Sequence, residues 1–113
     1  MKKDPAIFLE HILECIELIE KYVLNLSKEE FFKSTQTQDS VTRRLEVIGE
    51  ATKHLLDEFK EYYQDIPWAK ILAMRNMLIH EYFAVNLDVV WKTVKEDIPE
   101  LKKHVLKILE DYK

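Results

Sequence analysis

One glycine and three prolines are spread over 113 residues, too few to punctuate a chain with tight turns. Leu, Ile, Glu and Lys dominate instead, so the composition excludes a turn-rich β architecture and reads as all-α. A single cysteine, Cys15, rules out an intramolecular disulfide and fits a reducing, cytoplasmic setting. No apolar run approaches the roughly 20 residues of a membrane span, and no signal peptide is evident. Basic charge is not in excess: 17 Lys and Arg face 21 Asp and Glu, a net charge of −4. No global basic surface advertises nucleic-acid binding, and DNA-specific binding is not expected. Contact with RNA needs a local basic patch. Metal-ligand spacings are missing too. His11 and Cys15 are four apart but lack two further ligands, and Cys15 lies on an apolar stripe. His54 and His104 follow a glutamate by four residues, not by the three of di-iron bundles. The chain calls for neither metal nor cofactor. Repeats, linkers and low-complexity segments are absent as well, so residues 1–113 read as one domain with one modest core.

What remains is apolar periodicity. Asp4-Pro5 starts a helix, with a side-chain acceptor at the cap and proline at the first helical position. Phe8, Ile12, Cys15, Ile19, Tyr22 and Leu26 follow at spacings of four and three, one stripe of a long first helix. Ser27-Lys28-Glu29-Glu30 matches a capping box opening a short second helix through Phe31 and Phe32. The polar run Ser34–Gln38 predicts a loop. Asp39 or Ser40 then caps a third helix with the stripe Val41, Leu45, Ile48, Thr52, Leu55 and Phe59. Gly49 sits inside that helix at a cost of about 1 kcal/mol against alanine, which the close approach of a neighbouring helix explains. Residues 60–65 lead to Ile66-Pro67-Trp68, where Pro67 starts a fourth helix. Trp68, Ile71 or Leu72, Arg75, Leu78 or Ile79, and Tyr82 line one side of it. Asn86 caps a fifth helix through Val90, Trp91 and Val94, and Pro99 interrupts or restarts it. Leu101, Val105, Ile108 and Tyr112 form the closing stripe, and Phe8, Phe59, Trp68 and Trp91 are core aromatics. The expected architecture is an up-and-down bundle of about four long helices plus short helical segments.

Potential chemistry concentrates in Arg75-Asn76-Met77-Leu78-Ile79-His80-Glu81-Tyr82-Phe83. A guanidinium, an amide, an imidazole and a phenol stand here in a stretch otherwise apolar. Buried Arg or His is uncommon unless paired, so these groups either satisfy one another in the core or line a cleft. Asn76 and His80, four apart, are neighbours on one helix face. Arg75 and Tyr82, seven apart, share another. Arg75 and His80 are separated by roughly 140° on an ideal helix. Their convergence needs the helix to end near His80, or a second copy of the chain across a two-fold interface.

The spacing of Arg75, His80 and Tyr82 resembles the signature of the HEPN superfamily of helical-bundle, nucleotide- and RNA-handling domains. More narrowly, the chain is similar to the HepT-like toxins. Arg43-Arg44-Leu45-Glu46-Val47-Ile48-Gly49-Glu50-Ala51 and Ile66-Pro67-Trp68 carry the resemblance across nearly the whole chain. It implies a HEPN-like bundle and a metal-independent endoribonuclease, the toxin of a toxin–antitoxin pair. Arg and His from two protomers of a homodimer would line its cleft. His80 then moves a proton at the ribose 2′-hydroxyl or the leaving 5′-oxygen, because histidine titrates near neutrality. Arg75 offers a planar fork to phosphate. Asn76 positions the scissile phosphate or fixes the His80 tautomer. The resemblance also implies that a partner nucleotidyltransferase of the MNT type silences the toxin by AMPylation of Tyr82.

Other readings stand beside these. Tyr82 also fits a core aromatic with its hydroxyl at the rim. Arg43 and Arg44, with Glu46 and Glu50, either border the cleft or form solvated or interhelical ion pairs worth little alone. A non-catalytic HEPN module that binds nucleotide or protein, or a plain dimerisation domain, are the alternative functions. Arg75, Asn76, His80 and Tyr82 occurring together favour the nuclease, since a scaffold needs none of them.

Overall fold

The computed structural model describes residues 4–81 and 83–112, and within them every regular element is helical. In chain order the helices are α1 (Pro5–Tyr22), α2 (Lys28–Lys33), α3 (Thr35–Lys53), α4 (Asp57–Tyr62), α5 (Trp68–His80), α6 (Leu87–Lys92) and α7 (Ile98–Asp111). A π-helical turn over Thr93–Asp97 joins α6 to α7 without a break. Four long rods result: α1, α3, α5 and the composite α6–α7. No helix among the described residues is long and apolar enough to cross a membrane.

Local chemistry explains the boundaries. Asp4 Oδ1 accepts from the Ala6 amide at 2.9 Å and opens α1 ahead of Pro5. The first helix stops short of the stripe's end at Leu26, and Asn25 sits at φ 60°, the left-handed region that asparagine tolerates better than most residues. Ser27 and Glu30 close the predicted capping box, at 3.1 and 3.0 Å. The predicted loop over Ser34–Gln38 is instead the start of α3, and its cap is Ser34 rather than Asp39 or Ser40. Ser34 Oγ accepts from the Thr37 amide at 3.2 Å. Gln38 Nε2 donates to the carbonyls of Phe31 and Phe32 at 3.0 and 3.1 Å, so it closes α2 from within α3. The polar residues of this run are caps and an outer helix face, not a break. The third stripe divides: α3 ends at Lys53, while Leu55 and Phe59 are buried from the following turn and from α4.

Trp68 begins α5, with Pro67 as its cap, and its buried indole donates to the Lys60 and Tyr63 carbonyls at 3.2 and 3.1 Å. Asn86 caps α6 as the sequence predicts. Pro99 marks an interruption and restart as the sequence predicts: the α-helical frame gives way to the π turn, and α7 begins at Ile98 with Pro99 in its first turn, where its missing N–H is tolerated. On α7, Leu101, Val105 and Ile108 are buried as expected, whereas Tyr112 caps the helix 45 % exposed and is not a stripe residue.

The core lies between α1, α3 and the composite helix. Leu9, Ile12, Ile16, Ile19, Val41 and Val105 are fully buried in it. Helix α3 is central, with α1 on one side and α5 on another, while α7 packs on α1. Helix α5 is thereby held chiefly by α3.

Candidate functional site

Arg75 leaves α5 toward α3. Its aliphatic stem crosses Gly49: a β-carbon built on that glycine would stand 2.3 Å from Arg75 Cβ and 2.6 Å from Cγ. The helix approach that the glycine implied is therefore this one arginine. Glu50 Oε1 accepts from Arg75 Nε at 2.7 Å and also from Nη2. Asn76 Oδ1 accepts from Arg75 Nη1 at 2.8 Å. The Arg75 side chain is 19 % exposed and that of Glu50 41 %, so the pair sits at the lip of the α3–α5 seam. Hydrogen bonding from Arg75 holds the Glu50 carboxyl below its usual range. Partial desolvation opposes this, and the charges of Arg75, Lys53 and His54 reinforce it.

His80 is the last residue of α5, and Glu81 at φ −113°, ψ 36° leaves the helix. Arg75 and His80 both lie within α5, so the roughly 140° between them on a helix is kept. The imidazole is exposed, and no hydrogen bond or ion pair engages it among the described residues. Asn76 is exposed on the same helix but pairs with Arg75, not with His80, which removes the support for its fixing the His80 tautomer. Ile79 and Phe83, 37 % and 82 % exposed, give this end of α5 apolar surface. Tyr82, the expected modification site, lies outside the described residues.

Of the residues expected to border a cleft, Glu50 is joined to Arg75, while Arg43 and Glu46 pair with each other along α3 at 3.5 Å. Arg44 turns to the core side instead, its Nη1 3.9 Å from the Cys15 sulfur. His11 is exposed while Cys15 is buried, so the two do not face one site. His54 stacks on Phe8 with ring centroids 5.6 Å apart. Sequence spacing missed the pairing of Glu50 with Arg75, because helical periodicity says nothing about residues 25 positions apart. A separate cavity of about 320 Å³ lies between α3, α5 and α7, floored by Ile48, Ile71, Met74 and Leu101 and spanned by the Lys70–Asp97 ion pair at 3.1 Å. None of Arg75, Asn76 and His80 lines it.

A clamped guanidinium can bind a phosphate, and an exposed imidazole at a helix end can move a proton. Known proteins with similar chains agree in kind. The family model described as ribonuclease HepT-like matches residues 12–108. A Methanocaldococcus jannaschii protein named "Gamma-glutamylcyclotransferase and putative RNase" is 51 % identical over 111 residues. That match covers 98 % of this chain and 50 % of that protein, so the chain spans half the length of this relative. A Thermococcus cleftensis protein named "Probable ribonuclease HepT" is 48 % identical over 102 residues, 90 % of this chain and 93 % of its own. A Caldanaerobacter subterraneus protein named "Putative RNase" is 44 % identical over 111 residues, 98 % of this chain and 99 % of its own. No solved structure matches the chain.

Proposed function

Because the chain belongs to the ribonuclease HepT-like family, we propose that it is a metal-independent endoribonuclease acting as the toxin of a toxin–antitoxin pair. The observation that carries the reading is the site at the end of α5. Arg75 is held by Glu50 and Asn76 with N–H groups to spare, and the exposed His80 closes the same helix. In the reaction the ribose 2′-oxygen bonds to the adjacent phosphorus, and the bond to the 5′-oxygen breaks. A 2′,3′-cyclic phosphate and a 5′-hydroxyl result. One imidazole takes the 2′-hydroxyl proton and another gives a proton to the departing 5′-oxygen. Arg75 neutralises charge building on the phosphorane. RNA supplies its own nucleophile, so no metal is required to activate water.

Two histidines imply two chains. A homodimer with the outer face of α5 at its two-fold axis brings both His80 residues to one cleft and covers Ile79 and Phe83. Silencing by AMPylation of Tyr82 completes the proposal: a partner nucleotidyltransferase would add a phosphodiester charge and a bulky nucleoside two residues beyond His80. Intact mass and peptide mapping after incubation with that enzyme and ATP test it. AMP units found on Tyr82→Phe would refute the assignment.

The nuclease itself is tested with purified protein and total RNA in excess EDTA. Wild type is expected to cut and leave cyclic-phosphate ends, while folded Arg75→Ala and His80→Ala do not cut. Intact RNA after incubation with wild type would replace the nuclease with a non-catalytic anion-binding module.

A further inference from the structure

The seam that holds Arg75 is built from an absence and a charge. Any side chain at position 49 would collide with the root of the Arg75 side chain, at 2.3 and 2.6 Å, where rotation about the outer bonds gives no relief. Only glycine lets the stem lie flat against α3. The next residue, Glu50, meets the guanidinium at the end of that stem. One carboxylate oxygen, Oε1, accepts from both Nε–H and one Nη2–H, and Asn76 Oδ1 accepts from one Nη1–H. Five N–H groups less these three contacts leave one on Nη1 and one on Nη2. Those two can grip two oxygens of one phosphate as a fork.

From this geometry we propose that Gly49 and Glu50 are positioning residues for RNA cleavage: Gly49 admits the Arg75 stem, and Glu50 clamps the Nε side so that the Nη edge faces the scissile phosphodiester. The proposal rests on the ribonuclease reading above and adds what aims its arginine. A free arginine samples many rotamers, and a guanidinium already fixed at the seam loses little further freedom when phosphate binds. The carboxylate also repels phosphate, so the clamp is productive only if aim outweighs that repulsion.

Two readouts test this. The first is hydrogen exchange at Arg75 Nε–H in labelled protein, its resonance assigned by its loss in Arg75→Lys. The second is single-turnover cleavage of a short RNA. Wild type should protect Nε–H, and Glu50→Ala should speed its exchange about tenfold or more. Cleavage by Glu50→Ala should fall about 10- to 100-fold, mainly in kcat. The same substitution in an Arg75→Lys background should cost less than about twofold, because the effect passes through the arginine. Gly49→Ala should act in the same direction; the half-exposed Glu50 carries the test if that variant does not fold. Unchanged protection in Glu50→Ala, or cleavage at or above the wild-type rate, would overturn the proposal. Should wild type leave RNA uncut, affinity for a short RNA decides. Binding about tenfold weaker in Glu50→Ala upholds the positioning while the nuclease falls, and equal binding overturns both.

Discussion

Helix α3 is packed on two sides by different means. Toward α1 the packing is volume: Ile12, Cys15, Ile16 and Ile19 of α1 and Val41 of α3 are all buried to within a few per cent. Toward α5, Gly49 lies under the stem of Arg75, with Glu50 holding the charged end. The first seam stabilises by removing apolar surface from water, a term without direction. The second places one guanidinium, through contacts that depend on angle and on a missing side chain. Stability should therefore track the α1 seam and activity the α5 seam.

The largest effect that separates them is a cavity in the first. Ile16→Ala, at a fully buried position, should cost about 2–5 kcal/mol, read as a lowered urea midpoint. RNA cleavage per folded molecule should stay at the wild-type rate. A matching loss of specific activity would mean that the seams are mechanically one.

Next comes the converse, Arg75→Lys. It keeps the positive charge and a stem that fits over Gly49 but removes the fork that engages Glu50 and Asn76. Cleavage should fall at least about 100-fold, while the unfolding midpoint stays close to wild type. A lysine variant that cut normally would reduce the arginine to a point charge and void the clamp.

The contrast between seams also decides what the sequence could reveal. Wherever burial repeats with helical period, as at Ile12, Cys15, Ile19, Val41, Leu45, Leu101 and Val105, the stripe is legible because each residue reports its own environment. Caps with a local partner, at Asp4, Ser27 and Asn86, are legible for the same reason. Ser34–Gln38 misleads, since polarity there reflects capping of two helices at once, an arrangement that depends on how α2 meets α3. Arg75, Asn76 and His80 stand out as polar groups in an apolar stretch. Their partners do not, because Glu50 reads as an ordinary surface glutamate until α5 is laid across Gly49. Asn76 likewise has two candidate neighbours on its helix, and only the fold chooses Arg75 over His80.

The smallest effect lies in acid. The folded Glu50 carboxyl titrates below its ordinary value of 4.5, mainly because Arg75 donates to it. A depressed folded value makes the group stabilising above that ordinary value, and the contribution disappears as pH falls through the lower, folded one. Wild type should thus be slightly more stable than Glu50→Ala at pH 7, and the two melting curves should draw together as pH falls below the ordinary value of 4.5 and through the lower, folded one. Because Glu50 is half-exposed, the difference is minor and should shrink further in high salt. A gap that persisted at low pH would assign it to packing rather than to the ion pair.

The most direct measurement is the single-turnover cleavage rate, in EDTA, on one RNA and on the same RNA carrying a 2′-deoxy sugar at the cut site. Wild type should cut the first and leave the second intact, and His80→Ala should cut the first at least about 100-fold more slowly. Cleavage of the deoxy substrate, or a folded His80→Ala protein as fast as wild type, would contradict the account of the α5 site.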